Sequence, residues 1–322
     1  MTILVTGTAG FIGMHVAEAL LARGERVIGL DSLTPYYDLR LKRARRDRLL
    51  GKASFLFVED NIADRSAVSA LFSRHDDITS IIHLAAQPGV RHSLVDPYSY
   101  IEANVMGHLV MLEAARTLPR LEHFVYASSS SVYGGNKNLP YREDDRVDRP
   151  ISLYAATKRA DELISEAYGH LFGLPQTGLR FFTVYGPWGR PDMAPWLFAE
   201  AILAERPITL YEGGRLKRDF TFVEDIVSGV LGALDRPPVA GTPRLLNIGN
   251  HRSVEVRRFV AVLEESLGRK AVIQEAPRPI TDVAETFADI GAIQALCGFE
   301  PKTPIEVGVP RFAAWFRHWM AA

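Results

Sequence analysis

Short, almost wholly apolar runs recur along the chain at residues 3–5, 26–31, 55–58, 78–84, 124–126 and 177–182. Each is followed by a stretch whose apolar positions have helical spacing. After the first run, residues 12–23 carry Val16, Leu20 and Leu21 on one face, and Gly24 supplies a stop. Strands that read as near-continuous apolar runs are covered on both faces, as in a parallel sheet with crossover helices. The pattern predicts an α/β chain built on a doubly wound parallel sheet. Past residue 185 the texture changes. Gly186, Pro187, Gly189, Pro191, Pro195, Pro207, Gly213 and Gly214 crowd together, as expected of loop-rich structure laid over the C-terminal edge of the sheet. A helix at 224–234 and a strand at 245–248 then rejoin the first unit. The expected division is residues 1–183 plus about 219–249 as the sheet domain, and about 184–218 plus 250–322 as a smaller C-terminal α/β substrate-binding domain.

The turn after the first strand reads Thr6-Gly7-Thr8-Ala9-Gly10-Phe11-Ile12-Gly13. Glycines at 7, 10 and 13 allow a tight turn, close backbone approach to a pyrophosphate, and helix-on-strand packing. The phosphates of a dinucleotide would then sit at a helix N-terminus, where N–H groups and the helix dipole favour anions. Asp31 ends the second strand. It can accept from both adenosine ribose hydroxyls and would repel a 2′-phosphate, so NAD is expected rather than NADP. A Rossmann-type site follows, with Phe11 and Ile12 inside its loop. Asp60, Asn61 and Ile62 are expected near the adenine, and small residues at Leu84-Ala85-Ala86 let the cofactor lie close.

Composition narrows the function classes. The 322 residues are 47% hydrophobic with a formal net charge of −1, which carries no footprint of a nucleic-acid binder. The basic run at 42–48 reads as a solvated helix face. Cys297 is the only cysteine, so no intrachain disulfide and no Cys-based metal site are expected. This suits a cytoplasmic protein. With the glycine motif already at residue 7, no signal peptide is expected. No apolar run of about 18 residues suggests a membrane span.

Tyr154 and Lys158 stand four residues apart, and so share a helix face. An ammonium beside a phenol favours the phenolate, which can act as a base; the lysine can also bond the nicotinamide ribose. Just upstream, the fifth strand runs into Ser128-Ser129-Ser130-Ser131 at the strand end where such sheets bind ligands.

The glycine motif, the serine-rich strand end and the Tyr154/Lys158 pair together resemble the extended short-chain dehydrogenase/reductase family over essentially the whole chain. The likeness continues through Asn104, the segment 180–187 and the segment 218–225, which look like the branch of sugar-nucleotide epimerases and dehydratases. Within that branch the segments 31–42, 83–91 and 186–193 are most similar to UDP-glucuronate 4-epimerases. The resemblance implies that Ser129 shares the substrate proton with Tyr154 and that Lys158 and Asn104 serve the cofactor. It further implies that Ser130, Ser131 and Thr183 hold a sugar carboxylate, with Gln87, Arg91 and Arg190 also on the substrate. Tyr211, Arg218, Arg278 and Asp282 would meet the UDP, although Arg218 could instead pair with Asp219 or Glu224. The segment 278–282 lacks the glycine usual in relatives and sets its arginine one place further from the aspartate. A homodimer through helices near 100–115 and 154–170 is implied as well, although core burial explains the same apolar faces.

The serine run separates the relatives. Dehydratases of the branch carry an Asp-Glu pair after the catalytic hydroxyl residue, and decarboxylases carry Glu where this chain has Ser131. Hydroxyls hold a carboxylate without repelling it and supply no acid for elimination. The expected activity is therefore interconversion of UDP-glucuronate and UDP-galacturonate through a 4-keto sugar. The alternatives are a UDP-glucuronate decarboxylase, a neutral UDP-hexose 4-epimerase, or a non-catalytic NAD-binding regulator on the same fold.

Overall fold

The six apolar runs and the strand expected at 245–248 fold as the seven strands of one sheet. The computed structural model describes residues 1–279 and 282–321; Ile280, Thr281 and Ala322 lie outside the described residues. The first half runs β1 (Thr2–Thr6), α1 (Phe11–Ala22), β2 (Arg26–Asp31), α2 (Leu39–Leu50), β3 (Phe55–Glu59), α3 (Arg65–Arg74), β4 (Ile78–His83), α4 (Pro97–Tyr100), α5 (Gly107–Ala115), β5 (His123–Ser129) and α6 (Leu153–Phe172). The second half runs β6 (Gln176–Phe181), β7 (Thr183–Tyr185), α7 (Ala194–Leu203), β8 (Pro207–Tyr211), β9 (Lys217–Arg218), β10 (Phe220–Phe222), α8 (Val223–Leu234), β11 (Arg244–Ile248), β12 (Val254–Glu255), α9 (Val256–Leu267), β13 (Val272–Ala276), α10 (Gly291–Cys297) and α11 (Ile305–Ala321).

The main sheet has the order β11-β6-β5-β4-β1-β2-β3, and every pairing is parallel. Strand order reverses between β1 and β4, which opens a crevice at their C-terminal ends. Side chains of β1 alternate between the two helical layers. Ile3 and Val5 pack with Met14 and Leu20 of α1 and with Ile226 and Val230 of α8. Leu4 packs on the other face with Leu71, Phe72 and Met111.

The region past residue 185 is more regular than its glycine and proline content suggests. It holds α7, α9 and α11 and three two-stranded ribbons, closed around a third core of Trp196, Phe220, Phe222, Phe259 and Phe312. Aromatic and branched residues at helical spacing outweigh the punctuating prolines.

Charges are buried at the junction of β5, α6 and β6. Arg180 on β6 meets Glu162 on α6 through two bonds of 2.8 and 3.0 Å, with both side chains almost fully enclosed. Glu162 also accepts from Ser128 at 2.6 Å and from Arg159 at 2.9 Å. Burial works against its charge, but the hydrogen bonds from Arg180 outweigh it and hold the carboxyl below its usual value. The stabilisation is therefore present above pH 4.5 and is lost as pH falls through the lower folded value. Glu162→Gln leaves Arg180 buried without its counter-charge and should cost about 3–5 kcal/mol in urea unfolding. The double change Glu162→Leu with Arg180→Met should recover most of that loss.

Candidate active site

The crevice at the strand-order reversal deepens into one continuous cavity of about 550 Å³. At one end Gly7 lies in the left-handed region at φ +74°, and a Cβ there would come within 2.9 Å of the Ala85 backbone nitrogen. A Cβ on Gly13 would sit 2.0 Å from the Gly7 carbonyl oxygen. The backbone is thus packed closer than any side chain allows. It leaves the N-terminus of α1 open to the cavity through Gly10, Phe11, Ile12 and Gly13. Asp31 accepts from the backbone N–H of Ala9 and of Leu33, each at 2.9 Å, and so ties the glycine loop to the end of β2. Its carboxylate also faces the cavity, together with Asp60, Asn61, Ile62, Leu84, Ala85 and Ala86. A cradle of this shape, with open N–H groups and an acid at the second strand end, fits an adenine dinucleotide.

The middle of the cavity brings together β5, α6 and β7. Ser129, Ser130, Ser131, Tyr154, Lys158 and Thr183 all line it. The Ser129 and Ser131 hydroxyls lie 2.9 Å apart and share a hydrogen bond, and the Ser131 N–H donates to Ser129 Oγ at 3.2 Å. Ser152 caps α6 by accepting from the Ala155 N–H at 3.1 Å, which starts the helix that presents Tyr154. Lys158 Nζ donates to the Ala127 carbonyl and to Asp161 Oδ2, both at 3.0 Å. Burial pushes Asp161 up to about 6 against the pull of Lys158. Beneath them His83 bonds Thr6 at 2.8 Å, and burial with Lys158 nearby holds it at about 3, so its ring is neutral.

The far wall carries Gln87, Arg190, Arg218 and Asp282. Arg190 forks onto Asp192 at 3.0 and 2.6 Å, and Tyr36 donates to the same carboxylate at 3.1 Å. Burial opposes the Arg190 charge, but Asp192 raises its pKa overall. Arg218 does not pair with Asp219 or Glu224. It bonds Asp282, while Asp219 is buried among Thr221 and the backbone N–H groups of Asn250 and Ala288, and Glu224 takes Arg311.

Other residues singled out from the sequence fall elsewhere. Asn104 does not reach the cavity. It sits in a π-helical turn, Ile101–Met106, where its amide donates to Gln87 and Thr157 and accepts from the Gln87 N–H at 2.7 Å. Its polar atoms are spent on holding the Gln87 strand end to α6. Arg91, Tyr211 and Arg278 lie beyond the cavity lining, where the Arg91 guanidinium stacks 5.3 Å over Tyr211 and Arg278 faces Glu212 at 3.6 Å. The basic run of α2 is a solvated face only in part: Arg43 and Arg48 are exposed, but two of its cations turn inward. Lys42 is buried, lines the cavity and donates to Thr34 at 2.8 Å, and Arg45 is fully enclosed. Neither shows in the sequence, because a helix rich in charge on every side has no apolar stripe to mark its inner face.

The sequence profile of the NAD dependent epimerase/dehydratase family matches residues 3–249. A probable UDP-glucuronate 4-epimerase from Rhizobium meliloti (strain 1021) is 43% identical, covering 98% of this chain and 97% of that protein. UDP-glucuronate 4-epimerase 3 of Arabidopsis thaliana is 44% identical over 98% of this chain and 76% of that protein. The crystal structure of UDP-glucuronic acid 4-epimerase from Bacillus cereus, in complex with UDP-glucuronic acid and NAD, superimposes with a TM-score of 0.92. It is 32% identical and covers 99% of this chain and 100% of that one. The glycine cradle, the serine edge and the Tyr154/Lys158 pair meet in one cavity of a chain that belongs to the NAD dependent epimerase/dehydratase family.

Proposed function

We propose that the protein interconverts UDP-glucuronate and UDP-galacturonate by oxidation and re-reduction at C4. The observation that carries this reading is the serine edge. Ser129, Ser130 and Ser131 line the cavity with Tyr154 and Thr183, and the run holds no acid. Hydroxyl donors can hold a sugar carboxylate without like-charge repulsion. They supply no proton for elimination, which separates this site from dehydratase and decarboxylase chemistry.

NAD held by the glycine cradle, Asp31 and Lys158 supplies the redox chemistry at C4. Tyr154 takes the proton of the 4′-hydroxyl, with Ser129 sharing it, and the Lys158 ammonium favours the phenolate. The 4-keto sugar turns about its diphosphate, which Arg218 at the far wall holds through forked donors. With its opposite face now turned to the nicotinamide, which would give the hydride back to C4, the sugar takes its proton back from Tyr154 on the C4 oxygen, so nothing is gained or lost overall. A 4-keto uronate is a β-keto acid prone to lose CO₂, so Ser130, Ser131 and Thr183 also act by fixing the carboxylate. Arg190, set by Asp192, orients the sugar. Arg91, Tyr211 and Arg278 together form an outer group suited to the uridine end. The catalytic unit spans residues 1–183 and about 219–249, with the remainder closing over the nucleotide. A second copy of the chain would cover Ile101, Met106 and Leu163, which stay exposed on the helical faces expected to dimerise. Among the described residues no helix is long and apolar enough to cross a membrane, and a cytoplasmic site of action suits a UDP-sugar enzyme.

Purified protein incubated with UDP-glucuronate and NAD⁺ should build up UDP-galacturonate to an equilibrium mixture in proton NMR, with no CO₂. Release of CO₂ with a UDP-pentose would sink the reading, and turnover confined to UDP-glucose would reassign the substrate. Tyr154→Phe should lower kcat by about 10²–10⁴-fold, while NAD binding in calorimetry stays intact. Ser131→Asp sets a carboxylate against the sugar carboxylate and should raise KM for UDP-glucuronate about tenfold or more. Steady-state kinetics beside the neutral Ser131→Asn variant checks this.

A further inference from the structure

Helix α2 sends one guanidinium fully inside the protein. Arg45 commits all five of its N–H groups. Nε and Nη2 donate to the Trp188 carbonyl at 3.1 and 2.6 Å, and Nη2 also to the Gly189 carbonyl at 2.9 Å. Nη1 donates to the Ala9 carbonyl at 3.2 Å and to the Tyr37 hydroxyl at 2.5 Å. None of these partners is a carboxylate. Burial opposes the charge and Arg190 repels it, while Tyr37 and Asp31 favour it. A cation enclosed among neutral oxygens is costly, and a packed apolar side chain would serve stability as well. The arrangement therefore points to a role beyond stability.

Its partners belong to the two halves of the cavity. Ala9 lies in the glycine loop that cradles the dinucleotide. Trp188 and Gly189 lie in the loop that leads to Arg190 and Asp192 on the opposite wall. Trp188 has a φ of 63°, a left-handed conformation that bulky side chains rarely adopt. Its ring is fixed by Trp315, Trp319 and the guanidinium of Arg48, and the peptide that follows is held on both sides, its N–H by the Gly186 carbonyl at 3.1 Å and its carbonyl by Arg45. Arg45 supplies two donors to that oxygen. His15 on α1 bonds the Pro187 carbonyl at 3.0 Å and makes a second tie between the loop and the dinucleotide helix.

We propose that Arg45 is a positioning residue that couples the two ligand sites. Ordering of the glycine loop by the dinucleotide is passed through the Ala9 carbonyl, the guanidinium and the Trp188–Gly189 carbonyls to Arg190, which prepares the sugar wall. This rests on the function proposed above. A lysine cannot replace the residue, because three donors on a single atom cannot span four oxygens in one plane.

The test uses the Tyr154→Phe protein, stripped of NAD, so that no turnover disturbs binding. UDP-glucuronate is titrated calorimetrically with and without saturating NAD⁺. NAD⁺ should tighten UDP-glucuronate at least about fivefold, and the reverse titration should show the same factor by linkage. Adding Arg45→Lys should leave each ligand binding alone within about threefold of the parent but reduce the mutual effect to within about twofold. A merely structural role would weaken each ligand and leave the coupling in place. Coupling that survives Arg45→Lys, or that is absent from the parent, overturns the proposal. A parent that binds NAD⁺ but not UDP-glucuronate overturns the functional reading and the coupling with it. Hydrogen exchange on the parent needs no Arg45 variant. NAD⁺ alone should slow exchange at the Gly189 amide, which donates to the Gly186 carbonyl at 3.1 Å. An unchanged rate there would also refute the coupling.

Discussion

The catalytic geometry depends on a pair of charges that never meet the substrate. Glu162 and Arg180 are enclosed between α6 and β6, and the same carboxylate accepts from Ser128 at the end of β5. Two ions in a low-dielectric interior are tolerated only where their hydrogen bonds are satisfied. Arg180 also donates to the Tyr133 hydroxyl and the Glu143 carbonyl, at 3.0 and 3.1 Å. The pair thus fixes the serine edge against the helix that carries Tyr154 and Lys158. Ser128 bonds the buried pair, while Ser129 and Ser131 bond each other at the cavity wall.

Charge within the cavity is arranged with similar economy. Lys42, Lys158, Arg190 and Arg218 all line it, and their described partners include Thr34, Asp161, Asp192 and Asp282. The cations therefore hold fixed positions before any anion arrives, and little side-chain freedom remains to be lost on binding. On the function proposed above, the diphosphate would meet a positioned cation, whereas the carboxylate would meet the hydroxyls of Ser130, Ser131 and Thr183 beside the reacting centre. His83 beneath it is kept neutral by burial, so no second cation competes with Lys158.

The outer loop at 186–193 shows how local strain and long-range bonds support one another. Gly186 can adopt φ 146° without penalty, but Trp188 at φ 63° cannot do so cheaply. Its conformation persists because the tryptophan stack and Arg45 over-determine it. Residues far apart in the chain thereby set the approach of Arg190 to the cavity, and the sugar wall is only as rigid as the contacts behind it.

The amino-acid sequence by itself determined the sheet, its order of strands and helices, the glycine cradle with Asp31, and the meeting of the serine edge with Tyr154 and Lys158. These follow from local rules. Apolar runs report burial, glycines report backbone freedom, and residues at strand ends must face the crevice of a doubly wound sheet. Only the tertiary structure decided where long polar side chains went. Asn104 has the composition of a ligand, yet Gln87 and Thr157 consume its amide. Arg218 took Asp282 rather than its neighbours because the chain brings 282 beside it. Lys42 and Arg45 read as solvent-facing in a basic helix, but backbone carbonyls from the glycine loop and from residues 188 and 189 reach Arg45. Whether a flexible charged side chain is solvated or buried depends on acceptors distant in sequence, and neither periodicity nor composition encodes those acceptors.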